Sequence, residues 1–511
     1  MKYVVSYKVV VGLDFKENLL KKLNIKEKDL KSYQILRESI DARDKARVMY
    51  DYLVEVNTTK KINKKYIVKV KEPEKLSYPE VSFSLPPVIV GFGPAGMFAA
   101  LYLARVKARP IIIERGDKVL ERQTKVKNFF TNKVLDEESN VVFGEGGAGT
   151  FSDGKLQTNL SSPLIRFILE EFVKHGANSD ILVSNYPHIG TDILANVIPN
   201  IRKEIETLGG TFYFNTCFKD YDKQGDLIEV VTSRGSFKTN HLILGLGHSA
   251  YDTIKMLYEK GIKMSPKPFS VGVRIEHTQD MINSSQYGSF KDMLPPANYK
   301  LVTHLKERSV YTFCMCPGGY VIPSQNGHKR IVTNGMSNNK REGKNANSAL
   351  LVEVKVSDYY KSSPLDGFNF IKEIEEKAYN ITKDFRAPAN LVGEFLEGKV
   401  ASSTRSITST YPHGLIFTDL ARVLPDFVIN GLKEALPLLD KKLSGFSFSD
   451  AILIAPETRS SCPCQFVRND YETSVKGIYA IGEGSGYAGG ITSSAIDGLK
   501  CAIKIVSDRR S

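Results

Sequence analysis

Three glycines with a fixed spacing are the first residues of this sequence whose type and order could do chemistry. Gly91, Gly93 and Gly96 form a G-x-G-x-x-G pattern, and Glu114 follows 18 positions after the last glycine. Such glycines permit a tight turn, a close approach of backbone to a pyrophosphate, and close packing of a helix on a strand. An acid about 20 residues further on can accept hydrogen bonds from an unphosphorylated ribose. The pattern therefore predicts a dinucleotide site for FAD or NAD.

The residues around these glycines match the strand–turn–helix unit that the pattern requires. Residues 88–90 predict a buried strand, residues 97–105 the following helix, and residues 111–113 a second strand that ends at Glu114. The helix N-terminus would face the phosphates, because its free N–H groups and its dipole favour anions. We include three further residues of this unit in the predicted cofactor site: Pro94, Ala95 and Arg115.

A second pattern near the end of the sequence decides between FAD and NAD. Residues 477–483, GIYAIGE, predict a short strand that ends in glycine and an acid. This run is similar to the second signature of flavoproteins with the glutathione-reductase-like FAD fold, in which the acid, usually Asp, binds the ribityl chain. The next run, GGIT, opens a predicted helix whose first amides could face the pyrimidine edge of a flavin. FAD is therefore the predicted cofactor, and the predicted site includes Gly482, Glu483, Gly489, Gly490, Ile491 and Thr492.

Two further glycine-rich runs are assigned to the same site. Residues 144–156, GEGGAGTFSDGKL, suit backbone laid against an extended cofactor, although a mobile surface loop is the alternative. Residues 245–250, GLGHSA, match G-x-G-x-x-A, but no acid ends a strand about 20 residues on, so closure of the FAD domain is favoured over a second, NAD(P)H site. The predicted contacts from these runs are Gly144, Gly147, Ala148, Gly149, Thr150, Ser152, Gly245 and Gly247.

Longer runs carry a resemblance that covers almost the whole chain. GEGGAGTFSDGKL, PHIGTD, LGHSAYDT, KPFSVGVRIEH, TNGMS and GEGSGYAGGITSSAIDG resemble the uncharacterised bacterial family of FAD-dependent dehydrogenases, also called NAD(FAD)-utilizing dehydrogenases. RESIDARDKARVMY is similar to the small leading domain of that family. The resemblance implies an α/β fold: a discontinuous glutathione-reductase-like FAD-binding Rossmann domain, an inserted α+β domain and a small N-terminal α+β domain. One departure is SSCPC at residues 460–464, where we expect a Ser/Thr-rich run without cysteines.

Changes of pattern along the chain predict four segments. Residues 1–80 predict a small basic N-terminal domain and linker, and residues 85–265 the first part of the FAD-binding domain. Residues 266–446 lose the βα alternation and predict an inserted, family-specific substrate domain, after which residues 447–511 close the FAD-binding domain. Residues 1–80 hold 19 Lys and Arg against 12 Asp and Glu, so this domain is either a solvated cap or a docking surface for an anionic partner.

Composition excludes several classes of protein. With 511 residues, 42% hydrophobic and 25% charged, the chain has globular proportions, which excludes disorder, collagen and a disulfide scaffold. A net charge of +13 over this length is weaker than a dedicated nucleic-acid binder shows. The longest apolar run is broken by glycines and a proline, and the N-terminal residues predict a strand and not a signal peptide. We expect a cytoplasmic protein with six free thiols, a small-molecule substrate, no membrane contact and no nucleic-acid partner.

Candidates for the reacting groups rest on weaker signals. His277 could be an acid or base, since the unperturbed pKa of imidazole is near neutrality. Arg274 could bind a substrate carboxylate, or it could form an internal ion pair with Glu276. No metal site is predicted. The weak catalytic candidates are Arg274, His277, Tyr287 and Cys314, followed by Glu276, Asn334, His188 and His248.

Two C-x-C pairs add a further question. Cys314/Cys316 and Cys462/Cys464 lack the C-x-x-C spacing of thioredoxin-type and zinc-ribbon sites. Three interpretations are open. The four cysteines are ordinary thiols in turns, or one of them, mainly from the first pair, is a thiol beside the flavin. The third interpretation is a shared metal site.

These patterns together predict an FAD-dependent oxidoreductase that uses non-covalent FAD for hydride transfer with an unidentified small organic substrate. Two alternatives are a flavin-dependent tRNA-modifying or RNA-associated protein and a non-catalytic FAD-binding protein. The electron donor or acceptor is not predicted.

The single complete dinucleotide pattern generates a prediction about NAD(P)H. Because the Gly245/Gly247 turn lacks a ribose-binding acid, we expect no stable nicotinamide site. Stopped-flow reduction of the bound flavin by NADH or NADPH should be slow and should show no saturation below roughly millimolar concentration. Rapid, saturable reduction at micromolar NADH or NADPH would contradict this.

Overall fold

Alternation of buried and exposed residues builds a small sheet at the N-terminus. The computed structural model describes residues 1–70 and 75–509, so residues 71–74 of the predicted linker lie outside it. In the central strand, Tyr52, Val54 and Val56 point into a core while the residues between them are partly exposed. The antiparallel sheet has the order β1-β3-β2. Its elements are β1 (Lys2–Val10), α1 (Phe15–Leu23), β2 (Leu30–Asp41) and β3 (Met49–Thr58).

Short, fully apolar strands then alternate with helices. Strands β10, β4, β5 and β6 pair in parallel in that order, and β7, β8 and β9 form a separate antiparallel sheet. The elements are β4 (Val88–Val90), α2 (Pro94–Arg105), β5 (Ile111–Ile113), α3 (Val119–Asn132), α4 (Leu164–Lys174), α5 (Thr191–Thr207), β6 (Thr211–Tyr213), β7 (Phe218–Gln224), β8 (Leu227–Thr232), β9 (Gly235–Thr239), β10 (Leu242–Leu244) and α6 (Tyr251–Glu259).

The following segment forms a second large sheet with the order β13-β14-β17-β12-β20-β18-β19. Its central strands are buried on both faces and hold the largest cluster of core residues. The elements are β11 (Met264–Pro266), β12 (Phe269–Thr278), α7 (Gln279–Tyr287), β13 (Val302–His304), β14 (Ser309–Cys316), β15 (Tyr320–Pro323), β16 (Thr333–Met336), β17 (Asn345–Val354), α8 (Val356–Tyr359), α9 (Asp366–Thr382), β18 (Ala387–Leu391), α10 (Val392–Glu397), β19 (Leu415–Phe417), α11 (Asp426–Asp440) and β20 (Ile452–Glu457).

The last segment returns to the first large sheet, where β24 pairs in parallel with β10. Its elements are β21 (Cys464–Phe466), β22 (Arg468–Asn469), β23 (Glu472–Thr473), β24 (Ile478–Ala480) and α12 (Ile491–Asp508). Strand β21 pairs with β11, so this antiparallel ribbon marks where the chain leaves the first sheet and re-enters it. Among the described residues, no helix is both long and apolar enough to cross a membrane.

The predicted end of the inserted segment at residue 446 requires correction. Strand β20 pairs with β12 and with β18, so it belongs to the sheet of the inserted domain. The insertion therefore continues at least to Glu457, because β20 completes the core that β12 and β18 begin.

The packing of α12 against α2 generates a prediction about stability. An added Cβ at Gly498, in the middle of α12, would overlap the carbonyl oxygen of Ala95 in α2. We expect Gly498→Ala to lower the free energy of unfolding by about 1–3 kcal/mol, since overpacking forces the two helices apart. Urea unfolding measures this. The control Gly327→Ala, whose added Cβ first meets the flexible side chain of Arg330 at 3.5 Å, should unfold like the wild type. Equal unfolding of the two variants would contradict the prediction.

Candidate functional site

One cleft lies between the two large sheets. The loops that follow β4, β5, β10 and β24 form one wall, because parallel strands place their carboxyl ends at the same edge of a sheet. The inserted domain forms the opposite wall through β14, β16 and the end of β20. The cleft therefore joins the predicted dinucleotide elements to the domain expected to hold the substrate.

Glu114 anchors one end of the cleft. Its carboxylate accepts hydrogen bonds from the backbone N–H of Phe92 (2.9 Å), Gly116 (3.0 Å) and Gly144 (3.0 Å). These donors belong to the loop after β4, the end of β5 and the glycine-rich loop, so one side chain fixes three segments. The carboxylate also lines the cleft, where Oε2, which accepts only the bond from Phe92 among the described residues, has capacity for a further donor such as a ribose hydroxyl.

The end of the cleft beside Glu114 has the composition of a site for a flat heterocycle. The guanidinium of Arg115 lies 4.2 Å from the ring centre of Phe143 and is held by Glu138 (2.7 Å) and Asp252 (2.9 Å). Residues 216–218 line the same end. Phe143 and residues 216–218 were not predicted from the sequence. For Phe143, the available signal was an aromatic residue directly before the glycine-rich run that starts at Gly144.

The glycines are spaced for close approach of backbone. Gly91 has φ +93°, and a Cβ there would overlap the carbonyl oxygen of Gly245, so only glycine fits. A Cβ on Gly147 would lie 3.0 Å from the Cα of Gly93, which shows that the two glycine loops are in contact. A Cβ on Gly93 would meet only ordinary contacts. Gly93 caps α2, whose first N–H groups have no partner within the helix, and this arrangement fits a pyrophosphate.

The loops after β10 and β24 bring a titratable pair, His248 and Glu483, to the cleft. Nδ1 of His248 lies 3.4 Å from a carboxylate oxygen of Glu483. Burial alone would lower the pKa of His248, but the charge and hydrogen bond of Glu483 raise it. Nε2 of His248 is buried and has no hydrogen-bond partner among the residues that the structure describes. An unpartnered buried nitrogen in the wall of a cleft fits a bound group that donates or accepts a hydrogen bond there.

The inserted domain contributes an ionisable cluster to the opposite wall. The fully buried Arg274 lies 3.3 Å from Glu457 and donates hydrogen bonds to Asn347 (2.9 Å) and to the carbonyl oxygen of Cys314 (2.6 Å). Burial raises the pKa of Glu457 to about 7, although Arg274 opposes the shift. Glu457 and Cys314 line the cleft, and Arg274 lies behind them. The expected pair of Arg274 with Glu276 does not form, since Glu276 instead accepts hydrogen bonds from residues 345 and 410.

Several predicted catalytic residues lie outside the cleft. His277 is fully buried and bonds through Nε2 to the carbonyl oxygen of Phe446 at 2.8 Å, and burial lowers its pKa to about 4. Tyr287 is buried in the core of the inserted domain, where its pKa is raised to about 12 by burial. His188 faces the carbonyl oxygen of Asn339 at 2.9 Å. None of these three side chains lines the cleft, in contrast to our expectation.

Most residues predicted to bind the cofactor line this one cleft. The exceptions are Gly96, Thr150 and Thr492. Gly96 packs against the carbonyl oxygen of Gly91, and the hydroxyls of the two threonines donate to backbone carbonyl oxygens. These three residues support the cleft from behind. Residues of the cleft outside the predicted contacts include Asp153, Lys155, Gln157, Leu246, Phe313, Glu457, Arg459 and Ser460.

A cluster that could suggest a metal lies elsewhere. Glu171, His175 and Glu204 have ligand atoms within 4.8 Å of one another. Arg105 pairs with Glu171 at 2.6 Å and with Glu204 at 2.7 Å, and Lys174 pairs with Glu204 at 2.7 Å. The charges of both carboxylates are thus already compensated by protein cations, which makes this an ion-pair network.

Comparison with known proteins places this geometry in a family. A protein of Clostridium beijerinckii, described as "Uncharacterized protein", is 41% identical over 506 residues, which cover 96% of this chain and 95% of that protein. The chain belongs to the same family as that protein. Residues 268–460 match the family model "FAD-dependent protein, C-terminal domain-like", and residues 12–57 match a domain of unknown function. The first match confirms the predicted cofactor, FAD.

Solved structures with similarity to the chain include three flavoproteins. A variant of the halogenase PltM in complex with FAD is 11% identical, with a TM-score of 0.41 and coverage of 83% of this chain and 70% of that one. Aklavinone-11 hydroxylase with FAD and aklavinone is 12% identical, with a TM-score of 0.34 and coverage of 84% and 63%. A flavoprotein/dehydrogenase from Cytophaga hutchinsonii is 11% identical, with a TM-score of 0.36 and coverage of 83% and 79%.

The open space at Gly93 generates a prediction about cofactor binding. The wild-type protein should be yellow and should release FAD, not FMN, on denaturation. Gly93→Val should fold but be colourless, because the fold accepts a Cβ at this position while the remaining methyl groups would occupy the pyrophosphate position. The matched control Gly327→Val, outside the cleft, should keep its colour. Flavin absorbance per protein measures both, and a normally coloured Gly93→Val variant would refute the assignment.

Proposed function

We propose that the protein is an FAD-dependent oxidoreductase of the NAD(FAD)-utilizing dehydrogenase type, built on a glutathione-reductase-like Rossmann arrangement. The observation that carries the proposal is that a single cleft joins the dinucleotide elements to buried ionisable groups of the inserted domain. Such groups, with shifted pKa values in a cleft, are what acid–base chemistry requires. The substrate is a small organic molecule that exchanges a hydride with non-covalently bound FAD.

Each wall of the cleft has a separate task in this proposal. FAD, when bound, supplies the two-electron chemistry. The first turns of α2 and α12 offer free N–H groups to anionic groups, and Glu114 accepts hydrogen bonds from ribose hydroxyls. His248, whose imidazole is held by Glu483, donates a hydrogen bond from Nε2 into the cleft. The inserted domain covers the reacting region and limits the access of water.

Glu457 is the group that we assign to proton transfer. It lines the cleft, and its pKa of about 7 lets the carboxyl group hold or release a proton near neutral pH. Arg274 behind it keeps the carboxylate oriented at 3.3 Å. In the direction of substrate oxidation, the carboxylate accepts the proton that leaves the substrate.

A direct experiment tests the proposed function. The FAD-loaded protein is mixed anaerobically with a panel of small metabolites, and bleaching of the flavin absorbance is followed. At least one reductant should bleach the flavin with saturation kinetics. Bound FAD that dithionite reduces but no metabolite reduces would favour the non-catalytic alternative.

The raised pKa of Glu457 generates a prediction about pH. The rate of flavin reduction by such a substrate should rise with pH up to about 7 and then level off, because the carboxylate form is the base. Glu457→Gln should slow this step by roughly 10²- to 10⁴-fold and remove the pH dependence. Glu397→Gln, at an exposed carboxylate of the same domain, is the control and should behave like the wild type. A rate that falls as pH rises through 7 would contradict the assigned role.

A further inference from the structure

The end of β14 places a cysteine in the wall of the cleft and a second cysteine directly behind it. Cys314 is half-buried and lines the cleft, whereas Cys316 is fully buried. Phe313 pairs with Ala349 and Cys316 with Asn347, so one extra residue forms a bulge between them. Cys314 has φ +43°, a left-handed conformation that is uncommon for a residue other than glycine. Unusual backbone of this kind in a cleft points to a function.

The bulge brings the two thiols together. The thiol of Cys316 is near enough to lower the pKa of Cys314, and its Sγ donates a hydrogen bond to the carbonyl oxygen of Cys314 at 3.4 Å. Alternate residues of a regular strand are roughly 6.6 Å apart, near the upper limit of the Cα separation in a disulfide. A bulge that bends the strand at Cys314 moves this pair towards the separation that a disulfide needs.

Cations surround the pair. Arg274 lies 3.5 Å from Sγ of Cys316 and donates to the carbonyl oxygen of Cys314, and Lys155 bonds the carbonyl oxygen of Met315. The neighbouring thiol of Cys316 lowers the pKa of Cys314 against the effect of burial, and Arg274 and Lys155 lower it further. The pKa of Cys316 is raised. The lowered pKa and the position in the cleft wall together favour Cys314 as the attacking thiolate, with Cys316 as the buried thiol behind it.

The second C-x-C pair provides an internal comparison. Sγ of Cys462 lies 3.8 Å from Sγ of Cys464, so these thiols are also close. Both side chains are fully buried, and neither lines the cleft. Proximity of two thiols is common to both pairs, but access from the cleft belongs to Cys314 alone among these four.

We propose that Cys314 and Cys316 form a thiol–disulfide exchange pair that reacts with a small disulfide in the cleft. This inference goes beyond the proposed function, because the exchange itself needs only the two cysteines and the disulfide. The Cys314 thiolate attacks one sulfur of the substrate, the substrate S–S bond breaks, and the first thiolate leaves. Cys316 then attacks Sγ of Cys314, which releases the second thiolate. In total, the two cysteines lose two electrons and two protons to form one S–S bond, and the substrate disulfide gains them as two thiols.

A trapping experiment tests the exchange. Full-length wild type, Cys316→Ser and Cys314→Ser are treated with 2-hydroxyethyl disulfide, quenched with iodoacetamide and mapped as unreduced peptides by mass spectrometry. Wild type should contain a Cys314–Cys316 disulfide. Cys316→Ser should instead accumulate a mixed disulfide on Cys314, because the resolving thiol is absent, and Cys314→Ser should contain neither product. Cys464→Ser is the matched control and should carry no adduct on Cys462.

The outcomes separate this inference from the proposed function. The inference is overturned if the wild type forms no internal disulfide, or if the Cys462/Cys464 pair reacts equally. The wild-type measurement decides this even if a variant does not fold. Flavin that is bound and bleached by metabolites, with unreacted Cys314, leaves the proposed function standing and removes the exchange pair. A trapped adduct on a protein that binds no FAD would have the opposite meaning: the exchange pair stands, and the proposed function falls.

Discussion

The carboxylate of Glu114 is the interaction on which the arrangement of the cleft depends. Three backbone N–H groups from three separate segments converge on it, and the side chain is almost fully buried. A buried carboxylate is costly unless such donors compensate it, and hydrogen bonds to a charged acceptor are stronger than neutral ones. The same compensation that stabilises the charge therefore fixes the turn after β4 relative to the loop at Gly144. The surface that these two loops present to the cleft follows from that constraint.

Close backbone contacts extend this constraint across the sheet. Gly91 touches the carbonyl oxygen of Gly245, and a Cβ on Gly484 would overlap Gly247, so the loops after β4, β10 and β24 touch through glycines. Side chains at these positions would separate the loops and widen the cleft. The glycines thus have two roles, since Gly93 leaves space in the cleft for the predicted pyrophosphate and the glycines at the other positions hold neighbouring loops together. Only the first role is implied by the G-x-G-x-x-G pattern.

The sequence predicts the part of the site that is built from local spacing and misses the part built from distant pairing. Glycine turns and a strand-end acid lie within a few residues of each other, so their positions follow from one strand–turn–helix unit. Arg274 finds its partner Glu457 at a separation of 183 residues, across neighbouring strands of the inserted sheet. Because β12 is buried on both faces, alternation along it cannot tell which side chains point to the cleft. The near-neutral pKa of a free imidazole, which made His277 a candidate, carries no information about its burial in this strand. The bulge at Cys314 leaves no mark in the sequence either.

A buried guanidinium explains why the ionisable groups of the inserted domain lie together. Arg274 has no exposed surface, and taking a cation out of water is unfavourable unless anions and hydrogen-bond acceptors surround it. Glu457 and the carbonyl oxygen of Cys314 provide part of this compensation from two strands, β20 and β14. A Cβ on Gly335 would overlap the guanidinium, so this position of the neighbouring strand β16 must be glycine. Two of the partners of this buried charge, Glu457 and Cys314, line the cleft, so the wall holds both a carboxyl group with a pKa of about 7 and a thiol with a lowered pKa.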